Sequence, residues 1–197
     1  MMIRLCTAFF KALSEIILTD EEIFYDSTGA FNYSGARCAK CGAIGKLSPH
    51  GDYARHLISF ASKQIFERMV GPLRFYCASC RTTHALLPDI ITPYSPYSLR
   101  FKLIVLIAYY ERDTTVAAVC ESFNIAVSTL YAWKGLMLEH KDLMLGALIS
   151  LKTTALAFLR NLVGTPDLSK LLGGFFRRHA FSFLQNRPAP AAHSRPP

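Results

Sequence analysis

The sequence has no run of about 20 apolar residues free of charge, the length a membrane-spanning helix requires. Leu103–Tyr110 is apolar but too short, and Leu143–Val163 is broken by Lys152 and Arg160. A secretory signal is missing too: Arg4 and Lys11 bound a short apolar run with no small-residue cleavage site behind it. Acidic residues are scarce late in the chain, where Asp167 alone follows Asp142. A two-metal nuclease site built on three carboxylates cannot be assembled from that region. There is no Gly-rich phosphate loop, no nucleophile elbow and no His-x-x-x-His pair. Cys6 has no activating group near it. These absences predict a non-enzymatic protein without catalytic residues, cytoplasmic and free of membrane spans and small-molecule substrates.

What is present is positive charge. The 197 residues carry 22 basic and 14 acidic side chains, for a net charge of +8. The sign is uneven: residues 1–33 are net −3, 34–97 net +5, 98–150 neutral and 151–197 net +6. Two basic segments flanking a neutral middle suit a polyanionic partner such as nucleic acid.

Four of the six cysteines form two C-x2-C pairs, Cys38/Cys41 and Cys77/Cys80. In a chain without an export signal such pairs read as metal ligands before disulfides. Gly42 follows the first pair and permits the positive φ that a metal knuckle needs. Four thiolates make a closed tetrahedral set suited to structural Zn2+. The gap of 35 residues between the pairs exceeds the usual spacing, and a lengthened hairpin between the knuckles accommodates it. His50 and His84 are alternative ligands, and two redox dithiols are the competing chemistry. Arg37, Lys40, Lys46, Arg55, Lys63, Arg68, Arg74 and Arg81 surround the pairs as candidate phosphate contacts.

The segment Thr114–Leu138 reads as two helices about a sharp turn. Thr114 or Thr115 caps a helix whose inward face is Val116, Val119, Cys120 and Phe123. Asn124 stands where a positive φ is needed. Ile125 plugs the turn, and a second helix begins near Ala126–Ser128 and buries Leu130, Trp133 and Met137. Its exposed early residues make Ser128, Thr129, Tyr131 and Lys134 the candidate DNA contacts, with Arg177 and Arg178 adding phosphate contacts from the C-terminal segment. A plain three-helix bundle for protein contact is the alternative.

The spacing therefore predicts an α+β protein, a small β zinc ribbon followed by a mostly α helix-turn-helix domain. Residues 1–34 are expected as a helical N-terminal segment, with Leu5, Phe9, Leu13, Ile16 and Ile17 at helical spacing through residue 24. Residues 35–97 form the ribbon and a proline-rich extended linker, 98–150 the helix-turn-helix domain, 151–187 C-terminal helices and 188–197 a disordered tail.

Cys38–Cys41, Cys77–Cys80, the string Thr83–Asp89, Tyr94–Leu99, Ser128-Thr129-Leu130-Tyr131-Ala132-Trp133 and Phe175–Gln185 together resemble an uncharacterised bacterial family of short transposase-like proteins. The order ribbon, linker, helix-turn-helix also resembles the amino-terminal part of insertion-sequence transposases. The resemblance covers roughly residues 35–187 and departs at Ala126, where a serine cap is usual. It implies double-stranded DNA as partner and a nucleoid-associated accessory factor or transcriptional regulator, with a homodimer or a catalytic transposase chain as further partners. A zinc-stabilised protein–protein adaptor and a truncated transposase are the competing functions.

Overall fold

The computed structural model describes residues 2–5, 18–145, 154–166 and 168–186. Among them the architecture is α+β, with six helices and two small sheets. The strands are β1 (Met2–Leu5), β2 (Leu47–Pro49), β3 (Arg55–Ala61), β4 (Gln64–Val70), β5 (Arg74–Cys77) and β6 (Thr82–Pro88). The helices are α1 (Asp20–Gly29), α2 (Leu99–Glu111), α3 (Val116–Ser122), α4 (Val127–Leu145), α5 (Ala155–Gly164) and α6 (Leu168–His179). No single helix among the described residues is long and apolar enough to cross a membrane.

Four strands form a sheet in the order β1-β6-β5-β2. β5 is antiparallel to both β6 and β2, while β1 runs parallel to β6 with Met2 opposite Ala85. β3 and β4 make a separate hairpin, closed by Ser62 and Lys63 at φ 48° and 62°. Two successive positive φ values give the turn whose twist matches the strands it joins. This hairpin occupies the long gap between the two cysteine pairs.

The expected N-terminal helix is corrected at both ends. Residues 2–5 are a strand, because β6 offers them an open sheet edge. Most of the apolar residues that suggested a helix, Phe9, Leu13, Ile16 and Ile17, lie outside the described residues, as does Cys6. Among the described residues a helix starts at Asp20, where Thr19 and Glu22 make a capping box. It continues through Ser27 and Thr28, whose hydroxyls donate to the Phe24 carbonyl. The anticipated tail 188–197 also lies outside the described residues.

The proline-rich segment 88–98 is packed rather than loose. Ile90 and Ile91 join Ile23, Phe24, Leu57, Val70 and Leu87 in one buried cluster. Residues 96–98 run beside β3, with Ile58 N–H donating to the Pro96 carbonyl at 2.8 Å and Ser98 N–H to the Ile58 carbonyl at 2.9 Å. Arg55 clasps the segment by donating to the carbonyls of Thr92 (2.6 Å) and Ser95 (2.7 Å). Ser98 then caps α2 by accepting from the Phe101 N–H. The first two turns of α2 are buried nearly all round, including Arg100 and Lys102. Arg100 donates to the Leu18 carbonyl at 2.8 Å and lies 3.7 Å from the buried Asp20, tying α1 to α2. The largest core joins α2, α3, α4, α5 and α6 with the segment Phe181–Leu184.

Candidate metal centre and nucleic-acid interface

Two tight turns bring the cysteines together. At the first, Gly42 takes φ 75°, its N–H donates to the Cys38 carbonyl at 3.0 Å, and the Cys38 N–H donates to Ala43 at 2.8 Å. At the second, Arg81 takes φ 54° and its N–H donates to the Cys77 carbonyl at 2.8 Å. The pairing of β5 with β2 and the bond from Ala78 N–H to the Lys46 carbonyl hold the knuckles face to face.

The four Sγ atoms lie within 4.8 Å of one another. Cys38 and Cys80 are 3.6 Å apart and Cys41 and Cys77 3.8 Å. A Zn–S bond of about 2.3 Å places neighbouring sulfurs of a tetrahedron about 3.8 Å apart, so these residues fit a zinc ion without rearrangement. Burial raises the Cys38 thiol, but the amides of Cys41 and Lys40 and the neighbouring thiols outweigh it and bring the pKa down to about 6. At Cys41 the Ala43 amide favours the thiolate, while burial and the other three thiols push the pKa up to about 11. One thiolate thus forms readily and the next is opposed by it, a repulsion that a bound cation removes.

His84 is fully buried, and its Nε2 lies 3.2 Å from Cys38 Sγ. It sits behind a sulfur, where ligand-orienting groups act. His50 instead lies near Tyr76, 5.7 Å between ring centroids. In the sequence His84 is marked only by its distance from Cys80; strand β6 is what turns it towards Cys38.

Of the basic residues around the knuckles, Arg37, Lys40, Lys46, Lys63 and Arg81 are exposed, and Arg74 is half-buried. Arg55 is committed to the carbonyls of residues 92 and 95, and Arg68 pairs with Glu21 at 3.5 Å. Lys40 also donates to the Thr82 hydroxyl at 3.0 Å.

In the helical region Thr115 caps α3, its hydroxyl accepting from the Ala118 N–H at 3.2 Å. Asn124 has φ 48° in the turn and Ile125 is buried beneath it. The chain then bends through 101° into α4, whose Leu130, Trp133 and Met137 face the core. At the exposed start of α4 stand Val127, Ser128 and Tyr131, with Thr129 half-buried. Lys134 folds back over the rings of Tyr109 (5.3 Å) and Tyr131 (5.5 Å), and its hydrogen bond to Tyr109 raises its pKa.

Arg177 and Arg178 are exposed near the end of α6, while Phe175, Phe181 and Phe183 are buried against His140 of α4. His140 lies twelve residues beyond Ser128, about 18 Å along the helix. The two groups of candidate DNA contacts are therefore separate patches. Arg177 borders a cavity shared with Met2, Ile3 and Ala39, so α6 stands beside the first knuckle.

No curated protein and no solved structure matches the chain. Residues 36–133, which span both cysteine pairs, the packed proline segment and the α3–α4 corner, match the family model described as a domain of unknown function (DUF6431).

Proposed function

We propose that the chain is a non-catalytic DNA-binding protein, a structural zinc ribbon set beside a helix-turn-helix, serving as a transposase-related accessory factor or transcriptional regulator. The observation that carries this reading is the α3–α4 corner. Its four-residue turn, the positive φ of Asn124 and the 101° bend fall within the geometry of DNA-binding helix pairs, about 90–120° across a short turn. In such pairs the start of the second helix enters the major groove. Here that start offers Val127, Ser128 and Tyr131.

Cys38, Cys41, Cys77 and Cys80 would hold the zinc, which supplies folding energy and leaves no open position for water. α4 carries no arginine, asparagine or glutamine, so bidentate base reading is missing and sequence preference is modest. Affinity then comes from phosphate contacts by Arg37, Lys40, Lys46, Arg81, Arg177 and Arg178.

The test is electrophoretic mobility of random-sequence duplex DNA over a salt series. Binding should weaken by a log–log slope of about −0.9 per phosphate contact, and the double change Arg177→Ala, Arg178→Ala should reduce that slope by about 2. Ser128→Asp should weaken binding at every salt concentration. No retardation at low ionic strength overturns the reading.

A further inference from the structure

Lys102 lies on α2 with 2% of its surface exposed. Among the described residues no carboxylate pairs with it. Its Nζ donates one long hydrogen bond, 3.4 Å, to the Leu184 carbonyl and stands 5.6 Å from the Trp133 ring centroid. A buried ammonium ordinarily has an anion beside it. Here the nearby charge is another cation: burial first, and then the Arg55 guanidinium, bring the pKa of Lys102 down to about 7.

Leu184, Trp133 and Lys102 all line an open pocket of about 190 Å³ between the 92–97 segment, α4 and residues 184–186. Thr92 lines it too. That residue is 2% exposed, and its Oγ1 has no hydrogen-bond partner. Arg55 fixes Thr92 in place through its carbonyl. The wall thus holds an ammonium and a hydroxyl short of partners, next to the rings of Tyr97 and Trp133, whose centroids are 4.9 Å apart.

We propose that this pocket binds a small organic carboxylate with a flat apolar body, its oxygens received by Lys102 Nζ and Thr92 Oγ1 and its body laid against Tyr97 and Trp133. The volume is below the roughly 300–1,000 Å³ of sites for drug-sized ligands, which limits the occupant to a one-ring acid or its equivalent. Inorganic phosphate fits less well: two donors do not satisfy a dianion, and the aromatic wall stays uncovered. Ala132, Trp133 and Leu136 of the wall belong to α4, so occupancy is linked to the pose of that helix. This coupling rests on the DNA-binding reading; the binding itself does not.

Trp133 is the single tryptophan of the chain, so its fluorescence reports the pocket directly. The full-length, zinc-loaded protein is titrated at pH 6 with benzoate, benzamide and inorganic phosphate. Benzoate should give a saturable change, with benzamide and phosphate at least tenfold weaker. Lys102→Met should abolish the benzoate response while keeping the helical circular-dichroism signal, and Thr92→Val should weaken it several-fold in a chain that retains its buried lysine. No saturable change, equal responses to benzoate and benzamide, phosphate binding as tightly as benzoate, or full benzoate binding by Lys102→Met each overturns the proposal. DNA mobility measured with and without saturating benzoate then tests the coupling: an unchanged mobility shift overturns it. Benzoate binding by a protein that never retards DNA leaves the pocket standing and overturns the DNA reading instead.

Discussion

The cysteine-bearing sheet and the helical region solve the problem of stability in opposite ways. The buried cluster beneath the sheet consists of Cys38, Leu47, Phe75, Cys77 and Leu86, two of which are candidate metal ligands. The helical core gathers 20 buried residues from five helices, the α3–α4 turn and the segment that follows α6. Burial at about 25 cal/mol per Å2 can hold the second together. The first has five buried residues in its cluster to draw on, and its knuckles bring thiols close enough to oppose one another's ionisation. The contrast teaches that the same chain can specify one region by packing and a neighbouring one by coordination chemistry.

The largest expected effect breaks the comparison from the sheet side. Structural zinc contributes about 10–16 kcal/mol in isolated finger peptides. Stripping metal with a strong chelator, or the change Cys77→Ser, should abolish hydrogen-exchange protection across residues 38–49 and 74–84. Amides of α2 and α4 should keep theirs. Equal loss in both regions would show that they do not differ as argued.

The mirror-image test follows. Leu130 is fully buried where α4 meets the helical core. Leu130→Ala should cost about 2–5 kcal/mol, read as a lowered denaturant midpoint for the helical signal. Zinc content should stay at about one per chain. Loss of metal along with the helices would tie the two regions into one unit.

Lys102 sharpens the contrast at the seam with a smaller and pH-dependent effect. Its folded pKa is about 7 against 10.5 for the free side chain. Between these values the unfolded chain binds more protons than the fold, so the stability of the natural protein rises with pH. Below pH 7 the cost of burying the charge is complete. Lys102→Met should therefore be the more stable form at pH 6, by a few kcal/mol. The advantage should shrink as pH approaches 10.5. A pH-independent difference between the two melting curves would contradict the burial of a charged lysine.

Legibility from sequence followed the range of the interactions. The knuckles and the α3–α4 corner were readable because their signals lie within a few residues: C-x2-C with Gly42, Thr115 ahead of an apolar period, Asn124 at the bend. Strand β1 was not, because its partner in β6 is some eighty positions away and its own composition suits a helix as well. The burial of Lys102 likewise comes from groups distant in sequence, Trp133 of α4 and the Leu184 carbonyl among them. His84 shows the same limit, since only the register of β5 with β6 turns it towards Cys38. Which cysteines come together was legible; what stands behind their sulfurs was not.

The parallel pairing of Met2–Leu5 with Ala85–Pro88 has a consequence for synthesis on the ribosome. At about 5–20 residues per second, Met2–Leu5 waits several seconds for β6, its neighbour among the described strands, to be translated. Both knuckles and the hairpin between them are made during that wait. Met2–Leu5 is thus the closing stave of the sheet, and a chaperone that shields emerging chain would find its task in those residues.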